Sequence, residues 1–259
     1  MIVTIPLLSY APVKICWRRA LLATVVVSTL SGCAPDAAPQ GFKDPNEAAN
    51  REVHDFNRGV DRVLLRPTSG AYGSVLPEPV KRGVANFASN LDAPGDVANN
   101  VLQGRLGNAG QNTLRFAVNT VLGIGGLFDP ATAMGIAAKP TDFGETLHRW
   151  GAPEGNYVEL PLVGPSTERD FIGLIVDVAL NPVRLALSQP EAGYATLAKV
   201  ASSLGVRDRY SETVDSILYD SADSYAQARL LYLQNRRFEL GQTAGDDTFV
   251  DPYEDPYAQ

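Results

Sequence analysis

An all-α fold is predicted by three features of the sequence. Apolar residues recur at intervals of three and four over several stretches, prolines and glycines cut those stretches into short helices, and no continuous series of alternating strands is present. The chain has 259 residues, 45% hydrophobic and 20% charged, which is enough apolar material for one medium-sized core.

The first element is a targeting segment rather than part of the fold. Lys14, Arg18 and Arg19 precede an apolar run from Ala20 to Leu30, which ends in Leu30-Ser31-Gly32-Cys33. A basic start, a short apolar core and small residues before a cleavage point describe a secretory signal. A run of this length is too short for a bilayer span, which needs about 20 residues. The apolar residues 1–12 ahead of the basic cluster place the expected translation start later, at Val13. Leu-Ser-Gly-Cys resembles the lipobox of bacterial lipoproteins, which makes Cys33 the acylated first residue of the mature chain. The other cysteine, Cys16, falls upstream of cleavage, so no internal disulfide is expected. A single acyl chain holds a protein to a membrane marginally and several hold it stably. Ala34 stands where many inner-membrane lipoproteins carry aspartate, which favours the outer membrane.

Residues 33–43 read as the lipidated cysteine and a flexible tether, and 44–240 as the helical domain. Asp44-Pro45-Asn46-Glu47 resembles a capping box and opens a helix whose apolar stripe is Ala49, Val53, Phe56, Val60 and Val63. That helix is expected to end at Arg66-Pro67. A second begins at Pro79 with Val80, Val84, Phe87 and Leu91 on one face. Pro94 separates it from a third, which runs to Gly104. From Leu106 to Ala138 the charges are Arg115 and Asp129 alone. Leu114, Val118, Val121 and Leu122 keep a helical period that Gly123-Ile124-Gly125-Gly126 breaks.

Phe143, Leu147 and Trp150 make a short helical face. Residues 151–165 are irregular, with at most a strand at Tyr157 to Leu160. Thr167-x-x-Asp170 caps a helix packed through Phe171, Leu174, Ile175 and Val178 and stopped by Asn181-Pro182. Helices follow over 191–204 and 208–238. The residues beyond 240 hold five acidic side chains, no basic ones and a repeated Asp-Pro-Tyr, the composition of a disordered tail.

Catalytic motifs are missing. The chain has two histidines, His54 on the polar side of the first helix and His148 beside Trp150, and neither stands in a ligand spacing. Gly164-Pro165-Ser166 lacks the second glycine of a nucleophile elbow. Gly123-Ile124-Gly125-Gly126 lacks the strand and the last glycine of a nucleotide loop. No cofactor or metal is therefore expected. Removing residues 1–32 takes away three positive charges, leaving 19 basic against 29 acidic residues, a formal charge of −10. Such a chain is not a nucleic-acid binder.

The stretch from Leu114 to Ala138 is too apolar for a wet loop and too interrupted for a spanning helix. It suits either a buried helical hairpin in a soluble core or a segment at the bilayer. In hydrocarbon, irregular backbone survives where protein or a water-filled cavity covers its polar groups.

At these residues the chain resembles the MlaA (VacJ) outer-membrane lipoproteins. The resemblance runs through Asp44-Pro45-x-Glu47-x-x-Asn50-Arg51, Phe56-Asn57, Arg66-Pro67, VLPEPVKRGVANFASNL, NNVLQG, LRFAVNTVLGIGGLFDPATAMGI, DFGETLHRWG, YVELPLVGPSTERD and SYAQARLLYLQNRR. Order and spacing make it specific. The departures are Ala49, where the family has phenylalanine, and Gly155-Asn156-Tyr157, where it has Gly-Pro-Tyr.

The resemblance implies a ring of short amphipathic helices around a central amphipathic channel, lying in the periplasmic leaflet of the outer membrane. It further implies association with a porin trimer, a non-enzymatic passage of phospholipid from the outer leaflet to an MlaC-like periplasmic carrier, and maintenance of lipid asymmetry. Cys33 is then the lipid-attachment site. Gly123, Gly125, Gly126, Leu127 and Phe128 form the channel neighbourhood, and Phe56 and Asn57 lie on a helix that positions it. The residues leave two other readings open, a lipid-modifying enzyme and a passive envelope tether.

Overall fold

The computed structural model describes residues 43–241 apart from residue 189. The signal, Cys33, most of the tether and the acidic tail lie outside the described residues.

The described chain is helical with one small hairpin. The order is α1 (Glu47–Val60), a π-helical turn (Asp61–Leu65), α2 (Arg66–Val75), α3 (Glu78–Leu102), α4 (Leu106–Val121), α5 (Pro130–Ala133), α6 (Phe143–Arg149), β1 (Tyr157–Leu160), β2 (Gly164–Thr167), α7 (Glu168–Leu180), α8 (Pro182–Ala186), α9 (Glu191–Arg209), α10 (Ser211–Asp215), a second π-helical turn (Ser216–Asp220) and α11 (Ser224–Glu239). α3 packs on α4 and α9, α9 on α2, and α6 on α7. β1 and β2 pair antiparallel in the register Tyr157↔Thr167 to Leu160↔Gly164, and the hairpin lies against α1, α7 and α11.

Two prolines do not break helices as expected. The first helical run continues past Arg66-Pro67 to Val75, because the π turn hands it over. The Arg66 N–H donates to Asp61 O, one residue farther back than in an α-helix, and Pro67 occupies an opening position of α2, where its missing N–H is no loss. α3 likewise runs unbroken through Pro94. An interior proline costs about 3 kcal/mol, and the packing of α3 against both α4 and α9 holds the helix through it. Gly164-Pro165, at the end of the stretch expected to be irregular, opens β2. In a two-stranded sheet each strand is an edge, so Pro165 gives up no central ladder bond.

The interior is polar and much of the apolar surface faces outward. Among the described residues, seven hydrophobic residues are buried against sixteen polar or charged ones. The expected apolar stripe is in part turned outward: Phe56 of α1 is 53% and Val63 of the π turn 79% exposed, with Val53 and Val60 half-buried, whereas Asn50 and His54 are buried. Phe171, Leu174, Ile175 and Val178 of α7 are also exposed, and the buried residues of that helix are Arg169 and Gly173. Gly173 meets Gly144 of α6, where an added Cβ would stand 2.4 Å from the Gly144 nitrogen. The expected helix over 208–238 is interrupted at Tyr210 and at residues 221–223, where Asp223 caps α11 through Ala226 N–H at 3.0 Å.

Buried groups are tolerated when they are hydrogen-bonded, and a network of such bonds surrounds His54, Glu159 and Asp44. His54 Nε2 lies 3.0 Å from Ser224 Oγ and its Nδ1 3.4 Å from Glu159 Oε1, tying α1 to α11 and β1. Tyr157 donates its hydroxyl to Glu159, and Tyr225 and Arg229 both reach Asp44. Tyr157, Tyr225 and Leu233 form the small apolar centre of this end. Asp61 is held by Arg207 at 2.9 Å through two guanidinium nitrogens and by the Tyr219 hydroxyl at 2.7 Å, so one carboxylate links both π turns.

Candidate functional site: an amphipathic cavity and its amide-held loop

The glycine-broken segment after α4 is held by amide side chains. Asn90 of α3 donates to Thr120 Oγ1 at 3.0 Å and to Gly125 O at 3.3 Å, and Asn86 donates to Leu127 O at 3.3 Å. On α4, Asn119 donates to Asp129 Oδ1 and accepts from Ala131 N–H, both at 3.0 Å. One helical repeat away, Asn112 and Lys139 exchange two bonds. Arg115 pairs with Asp129 and donates to Ile136 O at 2.7 Å. Protein side chains thus take up carbonyls of this irregular backbone, as survival beside hydrocarbon requires.

The five residues expected at the channel fall in this loop with different surroundings. Gly123 and Gly126 are buried, while Gly125, Leu127 and Phe128 are exposed. Gly126 has φ +97, and a Cβ there would stand 2.5 Å from Asn90 Cβ. The glycines therefore let the loop close onto α3. Phe56 and Asn57 are separated in role. Phe56 faces outward. Asn57 accepts from Leu162 N–H at 2.7 Å and donates to Leu160 O at 2.9 Å, fixing the hairpin tip to α1. Cys33 lies outside the described residues.

Beneath the loop, a cavity of 130 Å³ is lined by Asn86, Asn90, Asn112, Arg115 and Asn119, and it shares Ser89 and Asp96 with a larger one. The larger cavity, 550 Å³, lies between α3, α7 and α9 and is lined by Asp92, Asp96, Asn99, Asp177, Lys199 and Ser202, among others. Next to it is an apolar groove of 370 Å³ walled by Leu91, Leu174, Val178, Val183, Leu187 and Val200. Asp92, Asp177, Asn181 and Lys199 line both. A polar chamber and a greasy one therefore meet along four residues.

Charge in the chamber is unbalanced. Lys199 forms an ion pair with Asp92. Burial pushes the Asp96 carboxyl up to about 7, against the pull of the Thr141 N–H it accepts, and Asp92, Asp177 and Asp142 add to the rise. Burial also raises Asp177, although Asn99 and Phe143 N–H donate to it at 2.9 Å. Such carboxyls are short of positive partners.

Sequence reasoning missed this chamber, since Lys199 and Asp92 stand 107 residues apart. The small cavity under the loop did leave a signal, in the asparagines at 86, 90, 112 and 119, spaced four and seven apart on their helices. The basic end of α11 is not a free patch. Arg236 is engaged by Asp142 at 2.7 Å and Asp170 at 3.0 Å, and Arg237 by Glu154 at 2.8 Å. Among the described residues no helix is long and apolar enough to cross a membrane, and no group of His, Cys, Asp and Glu could hold a metal ion.

Comparison with known proteins gives a consistent result. The family model for the MlaA lipoprotein matches residues 42–239. The intermembrane phospholipid transport system lipoprotein MlaA of Shigella flexneri is 35% identical over 239 residues, 89% of this chain and 90% of that protein. The lipoprotein of the same name from Escherichia coli K12 is 34% identical over the same shares. A chain solved in work on the structural basis for maintenance of bacterial outer membrane lipid asymmetry superposes with a TM-score of 0.66 at 34% identity, covering 76% of this chain and 98% of that one. With the family model spanning the whole helical domain, the chain belongs to the MlaA lipoprotein family.

Proposed function

We propose that the protein is a non-enzymatic phospholipid conduit of the outer membrane. It is anchored by acyl chains on Cys33, lies in the periplasmic leaflet, and removes phospholipid from the outer leaflet to maintain lipid asymmetry. The observation that carries this reading is the polar chamber joined to the apolar groove through Asp92, Asp177, Asn181 and Lys199. A phospholipid has the same two-part character, and the joined cavities offer a place for its headgroup beside a place for its tails.

The physical advantage is large. Moving two acyl chains through water exposes roughly 30 methylenes at about 0.8 kcal/mol each, on the order of 25 kcal/mol. A route with a polar side and an apolar side removes much of that barrier and leaves direction to the partners. The outward apolar residues of α1, α4 and α7 suit a surface wetted by lipid rather than water. The glycine loop, Gly123 to Phe128, borders the small cavity through Asn86 and Asn90 and forms the channel neighbourhood, with the helix of Phe56 and Asn57 setting its position. The partners in this reading are a porin trimer, which holds the protein in place, and an MlaC-like periplasmic carrier, which receives the lipid.

The test is the amount of phospholipid on the outer surface of cells lacking the protein, with wild type and Cys33→Ala restored separately. Surface phospholipid should rise in the deletion, fall with wild type and stay high with Cys33→Ala. Equal asymmetry in all strains overturns the reading. Release of lysolipid or fatty acid by the purified protein would replace it with a lipid-modifying enzyme.

A further inference from the structure

We infer that the chamber between α3 and α9 selects phospholipids whose headgroup carries an ammonium, as in phosphatidylethanolamine, over those with a net anionic headgroup, as in phosphatidylglycerol. This rests on the conduit reading and names its preferred substrate class.

The argument starts from where a headgroup must sit. If acyl chains occupy the groove of Leu91, Leu174, Val178, Val183 and Val200, the glycerol-phosphate end reaches the four residues shared with the chamber. Those shared residues include both signs of charge, Lys199 against Asp92 and Asp177. Lys199 and Asp92 pair with each other, and both remain substantially exposed, at 40% and 54%. A zwitterionic headgroup can replace each half of that pair: its phosphate takes Lys199 and its ammonium takes Asp92. Both protein charges stay compensated throughout the exchange.

An anionic headgroup can replace one half alone. Its phosphate takes Lys199, and Asp92 is released into a chamber that already holds Asp96 and Asp177. The lining has three carboxyl side chains, Asp92, Asp96 and Asp177, and one ammonium, Lys199, a formal −2 when all are ionised. Like charges brought together in a partly desolvated site are rejected strongly.

The charged groups around Asp96 all bear on this. Asp92 stands one turn before it on α3, Asp177 faces it from α7, Asp142 lies at the start of α6, and Lys199 faces it from α9. On the side of the small cavity, Arg115 is already taken by Asp129. Burial is the main cause of the upward displacement of the Asp96 carboxyl to about 7, and the neighbouring Asp92, Asp177 and Asp142 add to it. An ammonium placed there supplies the missing cation.

The experiment uses the full lipidated chain in a non-ionic detergent, offered equal amounts of dioleoyl phosphatidylethanolamine and dioleoyl phosphatidylglycerol, with bound lipid counted by native mass spectrometry. Lipid still bound by a Ser202→Trp variant, whose chamber is filled, is subtracted as belt lipid. Wild type should hold the ethanolamine lipid in about tenfold excess. Asp92→Asn with Asp177→Asn should bring the ratio toward parity. In wild type alone the ratio should rise between about pH 6 and about pH 8 as Asp96 ionises, a readout that needs no carboxylate variant to fold. Parity in wild type, or a ratio indifferent to both the carboxylates and pH, overturns the selectivity and leaves the conduit standing. Failure to bind either lipid overturns both.

Discussion

Asn112 grips the backbone of Lys139 on both sides: its Oδ1 accepts from Lys139 N–H at 3.0 Å and its Nδ2 donates to Lys139 O at 2.8 Å. One buried amide thus replaces the strand or helix neighbour that this stretch of extended chain lacks. Asn112→Ala leaves the Lys139 N–H unpaired, while Lys139 O keeps the Asn100 amide at 3.2 Å, and should cost about 1–3 kcal/mol. Denaturant unfolding in detergent should show that loss, with faster proteolysis near residues 137–141. A midpoint equal to wild type would mean that the clamp contributes nothing.

Asp96 should make the protein less stable as pH rises. Its folded pKa, about 7, lies above the ordinary 3.8, so the folded state keeps a proton that the unfolded chain has released. The penalty is absent below about pH 4, grows through the window up to about pH 7 and is constant above it, with a ceiling of about 4 kcal/mol. Asp96→Asn keeps an acceptor for Thr141 N–H. It should raise the melting temperature at pH 8 and leave it nearly unchanged at pH 4.

The two exposed and buried glycines of the loop should respond differently. Gly125 has φ +70 with open space where a Cβ would go, so Gly125→Ala costs the backbone strain alone, about 1 kcal/mol. Gly126→Ala adds the clash with Asn90 and should cost about 3 kcal/mol or more. Equal melting temperatures for the two variants would contradict the close approach of loop and α3.

Arg236 joins α11 to the starts of α6 and α7 through Asp142 and Asp170. Removing it leaves Asp170 with Arg169, Tyr232 and Thr167 and leaves Asp142, 41% exposed, to water, so Arg236→Ala should lose about 1.5–3 kcal/mol. Asp170 is held below its usual range, with the Arg236 guanidinium overcoming a burial penalty. Its contribution is therefore present above about pH 4 and disappears as acid protonates it. The variant should accordingly show a flatter acid limb in a pH series of unfolding midpoints.

Val121 and Leu122, at the end of α4, are 76% and 65% exposed. Changing both to serine should leave stability in detergent within about 0.5 kcal/mol. The same change should weaken retention of a Cys33→Ala chain on phospholipid vesicles, measured by flotation. Unchanged flotation would show that this face does not touch lipid.

Local features of the fold were legible in the sequence. Thr167 caps α7 through Asp170 N–H at 3.2 Å, and α4 gives way at the glycines after Val121, as the residues alone predict. Features decided by tertiary packing were not. Pro67 and Pro94 look like stops because a proline's penalty is local, whereas the π turn and the flanking helices that absorb it are not. The stripe of Phe56 and Val63 was legible as a face, but sequence period cannot say which solvent the face meets. In α1 the side that reads as polar is the inner one, carrying Asn50 and His54. The loop at the candidate site could be flagged by its composition, while the chamber is assembled from α3, α7 and α9 and has no local signature.

An interior knitted from asparagine, histidine and carboxylates has a thermal consequence. The heat-capacity change of unfolding grows with the apolar area newly hydrated and shrinks with the polar area. Here the buried side is amide-rich and the grease is already outside, so calorimetry should find a smaller increment per residue than in a water-soluble domain of equal length. The stability curve would then be broad and shallow, and chilling would loosen this protein less than it loosens an oil-cored one.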